Sequence, residues 1–228
     1  MESKITDLKS ALHPVKDGDT LMVGGFGLIG APLSLIDELT KLEVKELTVV
    51  SNNVGEAGKG LGILLDQGKL KKAVGSYFTS NREVAKWYNA GKLDLQLLPQ
   101  GTLSEVIRAG GAGIGGFYTK TSVGTDLAKG KETKEIDGEE YVFEKALKSD
   151  VSLVRAHKAD KLGNLVYYKT ARNFNPMMAT AGKYVVAEVD EIVEVGELNP
   201  EEIATQHIYV DKIVLAEQIL TKEGVVQK

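Results

Sequence analysis

The first 110 residues alternate short apolar runs with amphipathic segments, and this alternation constrains the fold more than any other feature. Runs such as "TLMVGG" and "ELTVVSNN" are typical of strands buried on both faces of a sheet. Between them, "PLSLIDELTKL" places Leu33, Ile36 and Leu39 on one face of a helix. Strands that alternate with crossover helices pair in parallel. The sequence therefore predicts an α/β fold with an open, mostly parallel sheet and helices on both faces.

The C-terminal half is predicted to be irregular and β-rich. The segment "GGAGIGGFYTKTSVGT" is predicted as a glycine-dense loop, of which Gly111–Thr119 either flexes as a lid or turns tightly. "KEIDGEEYVFE" predicts a hairpin at the Asp137-Gly138 pair. Strands are expected in "VSLVRAHKADKLGNLVYY" and "YVVAEVDEIV", and a helix in "NPMMATAG". Because no repeat or linker divides the sequence, residues 1–228 are expected to form one domain.

Charge and composition exclude several function classes. The net charge is -4 without a basic block, so no nucleic-acid partner is expected. The absence of cysteine rules out a thiol nucleophile and a thiolate metal site, and fits a reducing compartment. No signal-like start and no run of roughly 18 apolar residues is present. We therefore expect a cytoplasmic protein without a membrane partner.

The stretch "VGGFGLIGAP" contains a G-x-G-x-x-G pattern at Gly25, Gly27 and Gly30. A dinucleotide site also needs an acidic residue about 20 positions further on. The next predicted strand ends instead in the neutral residues 51–53, "SNN", so a dinucleotide is not favoured. Two interpretations stay open: a tight turn that binds nothing, and a loop that presents its N–H groups to an anionic or oxygen-rich ligand. In the second, the helix N-terminus after Pro32 contributes to binding.

Polar and glycine-rich residues follow several strands of the predicted sheet. Because ligands of open parallel sheets bind beyond the carboxyl ends of the strands, Gly24–Gly30, Asn52–Asn53 and Gln100–Gly101 are predicted to share one edge. That edge is rich in hydrogen-bond donors, but the sequence has no nucleophile elbow, no H-E-x-x-H and no Walker loop. His157 is interpreted as a partnered strand residue rather than a base, and no metal site is expected. The edge has the composition of half an active site.

Ordered blocks throughout the sequence resemble one known family. The segment "DGDTLMVGGFGLIGAP" meets its signature at Asp17, Gly18, Gly24, Gly25, Phe26, Gly30 and Pro32. Further matching blocks are "LTVVSNN", "LLPQGT", "IRAGGAGIGGFYT", "SVGT", "RAHKAD", "GNL" and "ARNFNP". The resemblance extends from about Leu8 to Leu215. On these residues the sequence resembles the family I coenzyme A transferases, and among them the A (alpha) subunits of bacterial 3-oxoacid CoA-transferases.

This resemblance implies an activity and a partner. It implies transfer of CoA between an acyl-CoA and a 3-oxoacid such as acetoacetate. The enzyme is implied to be either of the succinyl-CoA type or of the acetate/butyrate type. The nucleophile in the family is a glutamate in a Ser-Glu-Asn-Gly segment of the B (beta) subunit, and this sequence has no such segment. An αβ or α2β2 assembly is therefore implied, with the CoA thioester as substrate and no permanently bound cofactor. Glu56 is interpreted as a solvated loop residue.

The resemblance also implies site residues. Gln100 is expected to donate its side-chain amide to the acyl or carboxylate oxygen, assisted by Asn52 and Asn53, although all three also suit turns. Backbone N–H groups of the glycine loop are expected to contact the CoA-linked substrate, and Phe26 to line the acyl pocket. The loop residues implied are Gly24, Gly25, Phe26, Gly27, Leu28, Ile29 and Gly30.

Two other function classes are weaker interpretations of the same fold. A sugar-phosphate isomerase-like enzyme needs an acid–base pair, which the glycine-rich edge does not offer. A non-catalytic ligand-sensing domain is compatible with the fold, since a fold does not determine a function. Such a sensor would be supported by a DNA-binding appendage, and the sequence contains no basic helix-turn-helix segment.

Overall fold

The computed structural model describes residues 3–221 and 224–228. Strands dominate the C-terminal half of this part of the chain, as the sequence predicts. The strands are β1 (Thr20–Val23), β2 (Leu47–Val50), β3 (Leu70–Gly75), β4 (Asp94–Leu97), β5 (Gly116–Thr119), β6 (Thr133–Ile136), β7 (Glu139–Lys145), β8 (Ser149–Asp160), β9 (Leu165–Val166), β10 (Gly182–Val193), β11 (Lys212–Leu215), β12 (Gln218–Thr221) and β13 (Gly224–Gln227).

The central sheet has the strand order β11-β10-β8-β1-β2-β3-β4, and all of these neighbours are parallel. The short β9 adds to β8 in the antiparallel sense. The prediction of a mostly parallel sheet is thus confirmed. The sheet also extends into the C-terminal half, because the long strands β8 and β10 pair from Ser149 with Gly182 to Asp160 with Val193.

Helices cover both faces of the sheet, which confirms the predicted layers. One core contains buried side chains of the first three helices, such as Leu35 and Leu64, and the other contains Leu103, Ile107 and Met178 of the last two. Burying each such side chain contributes roughly 1.5–3 kcal/mol. The helices are α1 (Leu8–Ala11), α2 (Leu33–Lys41), α3 (Leu61–Asp66), α4 (Arg82–Asn89), α5 (Gln100–Gly111) and α6 (Asn175–Ala181).

The predicted glycine-dense loop after α5 is wrong in extent. Helix α5 continues to Gly111, and the chain re-enters a strand at Gly116. A Cβ on Gly110 would overlap the carbonyl of Leu147, and one on Gly111 would lie 2.8 Å from Thr180 Cβ. These glycines therefore permit close packing at the end of the helix. Glycine density alone does not distinguish this role from a loop.

A separate antiparallel sheet, β5-β7-β6, follows α5. The predicted hairpin is confirmed between β6 and β7, where Asp137 and Gly138 both have positive φ, 52° and 77°. Strands β12 and β13 pair in the antiparallel sense near the C-terminal end. Across the described ranges, no helix is long and apolar enough to cross a membrane.

Candidate active site

A line of polar side chains crosses the carboxyl ends of three neighbouring strands. Asn52 follows β2, Ser76 follows β3, and Gln100 begins α5 just after β4. The Nδ2 atom of Asn52 donates to Ser76 Oγ at 3.1 Å and to Gln100 Oε1 at 3.4 Å. Asn52 is buried, whereas Gln100 is exposed. The fold therefore brings together two of the residues predicted from the sequence, and it adds Ser76, which sequence reasoning missed.

Each end of this line has an unused hydrogen-bonding atom. The Oε1 atom of Gln100 accepts from Asn52, and its Nε2 donor has no acceptor among the described residues. The Oδ1 atom of Asn52 is buried, also without a partner in that part of the chain. A buried acceptor left unpaired costs about 1–3 kcal/mol, so such groups are uncommon away from sites with another role. The edge thus offers one donor and one acceptor that have no partner among the described residues.

Asn53 does not join this line. Its Oδ1 accepts the N–H of Gly55 at 3.1 Å, two residues along the chain, and its Nδ2 lies 3.5 Å from Ser80 Oγ. A side chain that bonds the backbone two residues ahead is an Asx-turn. The geometry therefore places Asn53 in the turn that follows β2, beneath the exposed edge.

The glycine loop, Gly24–Gly30, is a tight turn that satisfies much of its own backbone. Phe26 and Ile29 exchange two backbone hydrogen bonds of 2.9 and 3.2 Å. The N–H of Gly25 donates to Asn173 Oδ1 at 3.1 Å. Within the described residues, the loop N–H groups that have no acceptor are those of Gly27, Leu28 and Gly30. The set of backbone donors available to a ligand is accordingly smaller than the sequence pattern indicates.

Two of the loop glycines are needed for contacts within the protein. A Cβ on Gly24 would lie 2.6 Å from Asn175 Cγ, and one on Gly30 would lie 2.7 Å from Asn173 Nδ2. The segment 171–175 therefore packs directly against the loop. The sequence shows this segment as "ARNFNP", but no local pattern indicates that it contacts a loop almost 150 residues earlier.

The N-terminus of α2 is occupied by a side chain of this chain, so the expectation that it faces a ligand is wrong. Glu188 in β10 accepts the Leu35 N–H at 2.9 Å and the Ser34 hydroxyl at 3.1 Å, and forms an ion pair with Arg155. Burial raises the pKa of Glu188 to about 7, against the opposing effect of Arg155 and these hydrogen bonds. The carboxylate thereby complements the helix dipole.

This carboxyl group predicts a pH dependence of stability. Folded Glu188 holds its proton to a higher pH than the unfolded chain, so the folded state binds more protons between about pH 4.5 and 7. Stability is expected to fall as pH rises through that window. The neutral variant Glu188→Gln should show a flatter profile of Tm between pH 5 and 8. Glu191→Gln, at an exposed carboxylate whose pKa Lys158 lowers, is the control and should keep the wild-type slope. An unchanged slope in Glu188→Gln contradicts the assignment.

A cavity of about 370 Å³ adjoins the C-terminal part of the glycine loop. Leu28, Ile29 and Gly30 line it together with residues of β8, β10 and β12, whereas Phe26 does not line it and is 47% exposed. Phe26 is therefore no part of this cavity, and its expected place in the acyl pocket stays a prediction. The backbone pairing of Phe26 with Ile29 closes the turn, and the Phe26 side chain stays exposed.

His157 is one of the residues that line this cavity. Its Nδ1 lies 3.1 Å from Asp190 Oδ2, and its ring contacts Tyr168 with the ring centroids 5.2 Å apart. Asp190 also forms an ion pair with Arg155. The prediction of a partnered strand histidine agrees with this geometry, since His157 lies within β8.

Glu56 lies at the tip of a second tight turn, after β2. Its backbone exchanges hydrogen bonds with Lys59, and its half-exposed carboxylate lies 3.5 Å from Lys59 Nζ. In the residues that the structure describes, the side chains hydrogen-bonded to Asn52 and Gln100 are amides and one hydroxyl. The candidate site thus presents donors and acceptors, and Glu56 is solvated as predicted.

Comparison with known proteins identifies the family of the chain that carries this donor-rich edge. Residues 5–216 match the family described as coenzyme A transferase. The chain belongs to the coenzyme A transferase family. It is 51% identical over 218 residues to the A subunit of the succinyl-CoA:3-ketoacid coenzyme A transferase of Helicobacter pylori strain J99, covering 96% of this chain and 94% of that protein.

Other members of the coenzyme A transferase family match over comparable lengths. The A subunit of the 3-oxoadipate CoA-transferase of Pseudomonas putida is 48% identical, covering 91% of this chain and 90% of that protein. The alpha subunit of the acetate CoA-transferase of Escherichia coli K12 is 42% identical, covering 96% and 99%. Each of these names denotes one subunit of an enzyme.

A solved coenzyme A transferase structure shares the fold. The acyl-CoA transferase of Escherichia coli O157:H7, solved as a thioester complex with CoA, superposes with a TM-score of 0.84 at 21% identity. That match covers 99% of this chain and 50% of the other. At this identity the match establishes the coenzyme A transferase fold and nothing finer.

Proposed function

We propose that this chain is the A subunit of a two-subunit enzyme that moves CoA from succinyl-CoA to a 3-oxoacid such as acetoacetate. The observation that carries the proposal is the Asn52–Gln100 pair, a donor-rich edge at the strand ends of a sequence that has no Ser-Glu-Asn-Gly segment. The similarity to the A subunits of succinyl-CoA:3-ketoacid transferases supports the choice of substrates. Acetate as the acyl group is the second candidate, favoured by the Escherichia coli relative.

In the proposed reaction a glutamate of the B subunit first attacks the acyl-CoA carbonyl, forms an acyl-glutamyl anhydride and expels CoA as its thiolate. The thiolate then attacks the glutamyl carbonyl, which releases the carboxylate product and leaves a glutamyl-CoA thioester. The acceptor carboxylate reverses these steps and departs as its CoA thioester. Each attack places negative charge on a carbonyl oxygen, so preorganised donors stabilise the transition state.

This chain supplies donors in the proposed mechanism. Gln100 donates from Nε2 to the developing oxyanion, because its Oε1 is held by Asn52. Asn52 orients Gln100, and its free Oδ1 accepts from a donor on the substrate or on the B subunit. Asn53 shapes the turn that supports them. Gly27 and Leu28 offer backbone N–H groups to the CoA-linked acyl group.

The proposal includes the assembly and the location. A nucleophile on the B subunit requires a shared site held in rigid register, which favours an extensive interface in an αβ or α2β2 enzyme. The CoA thioester is a substrate in this scheme, and no permanently bound cofactor takes part. We place the enzyme in the cytoplasm, where its acyl-CoA substrates are made.

Because the proposed nucleophile is on the B subunit, this chain alone is expected to form no covalent adduct with acyl-CoA. The complex purified from the host should transfer CoA to acetoacetate, and intact-mass analysis without acceptor should show the CoA adduct on the B subunit. Comparing succinyl-CoA, acetyl-CoA and butyryl-CoA as donors identifies the acyl group. Glu56→Gln in the complex is the control and should leave turnover unchanged. A CoA mass shift on this chain contradicts the proposal.

A further inference from the structure

Asn173 fixes both ends of the turn in the glycine loop with one side chain. Its Oδ1 accepts the Gly25 N–H at 3.1 Å, and its Nδ2 donates to the carbonyl of Ile29 at 3.0 Å. The same two atoms bond the backbone of Phe174 and Thr170, at 2.7 and 3.0 Å. The amide is therefore held on its own segment while it holds the loop.

A second asparagine anchors the same contact to the central sheet. The Nδ2 atom of Asn175 donates to the carbonyls of Gly30 and Ala171, both at 2.9 Å, and its Oδ1 accepts the N–H of Arg155 in β8 at 2.8 Å. Asn175 is fully buried. The loop is thus fastened to β8 through this segment.

These bonds and the pairing within the turn leave three loop N–H groups for a ligand. The N–H of Gly25 is engaged by Asn173 and that of Ile29 by Phe26, whereas those of Gly27, Leu28 and Gly30 have no acceptor in the part of the chain that the structure describes. Gly27 has a φ of 61° and open space where a side chain would be. Glycine-rich backbone gains more freedom than other backbone when it is released. Without Asn173 the turn would lose its single orientation, and with it the preorganised donors.

We propose that Asn173 is a positioning residue, which holds the Gly25–Gly30 turn so that the N–H groups of Gly27 and Leu28 receive the carbonyl oxygen of the CoA-linked acyl group. This inference rests on the proposed function. Asn173 acts through the loop alone, because its side chain has no hydrogen bond to Asn52, Ser76 or Gln100 among the described residues.

The test uses the complex with the B subunit in a single turnover with succinyl-CoA, without acceptor. Asn173→Ala is expected to slow thioester formation at least fivefold, while the number of glutamyl sites that finally react per complex stays at the wild-type value. Asn173→Asp keeps the acceptor for the Gly25 N–H and is expected to recover a measurable part of the rate. Asn199→Ala removes a comparable bond, to the N–H of Glu201 in a surface turn, and should react as wild type.

Each outcome separates the inference from its premise. A rate within twofold of wild type in Asn173→Ala overturns the positioning role. A loss of reacting sites at an unchanged rate per site overturns it as well, because that result reports folding. If the wild-type complex itself forms no thioester on the B subunit, the proposed function fails and the inference fails with it.

Discussion

Replacing Gln100 with alanine is expected to lower the turnover of the assembled enzyme at least tenfold while leaving assembly intact. Removing one preorganised donor from an oxyanion site typically costs roughly 2.7–4 kcal/mol, which corresponds to a 10²–10³-fold loss, and tenfold is the lower bound here. The fold does not depend on this side chain. Gln100 is exposed at the first position of α5, where alanine is a good helix former.

The measurement is kcat of the complex with saturating acyl-CoA and acetoacetate, together with the elution volume that reports assembly. Gln206→Ala is the matched control, because Gln206 is also exposed and its side chain makes no hydrogen bond within the described ranges. Asn52→Ala should lower kcat through loss of the Gln100 orientation. The double variant should then be little worse than Gln100→Ala alone, since coupled residues are not additive. Turnover near wild type in Gln100→Ala removes Gln100 from the mechanism.

The position of the candidate site was predictable because it depends on the order of elements along the chain. Asn52 and Gln100 each follow an apolar run, and parallel strands end at one edge of the sheet. Ser76 obeys the same rule after β3, so the sequence contained a signal for it as well. The rule gives the edge, but it does not give the hydrogen-bond distances between the side chains.

The interactions that sequence reasoning missed join residues distant along the chain. Glu188 bonds the N-terminus of α2 from about 150 residues away, and Asn173 bonds Gly25 over a similar separation. Glycines before a helix predict that an anion binds at the helix N-terminus. The pattern does not show whether that anion is a ligand or, as with Glu188, a side chain of the same protein. The glycines at 110 and 111 likewise indicated a loop, because glycine is typical of flexible segments. The sequence does not show the neighbouring atoms, of Leu147 and Thr180, that leave no room for a Cβ at these positions.

The space available for a Cβ gives opposite expectations for the stability of alanine variants at two glycines, which the sequence alone does not distinguish. At Gly24, which is buried, an added Cβ would overlap the amide of Asn175. That amide cannot yield cheaply, because it holds Gly30, Ala171 and Arg155. Gly24→Ala is therefore expected to destabilise the protein by about 2–4 kcal/mol, from overpacking together with hydrogen bonds lost in a buried site. At Gly101, near the start of α5, a Cβ would meet nothing within 4 Å.

Gly101→Ala is consequently expected to be neutral or to stabilise the helix by up to about 0.5–1 kcal/mol, because glycine is the poorer helix former. Thermal unfolding of both variants in the assembled enzyme measures the contrast. For a chain of this size 1 kcal/mol corresponds to roughly 2–4 °C, so Tm should fall by at least about 4 °C in Gly24→Ala and hold or rise in Gly101→Ala. Equal Tm values would mean that Asn175 moves aside without cost. The glycine at 24 would then have to be explained by a ligand that approaches the loop.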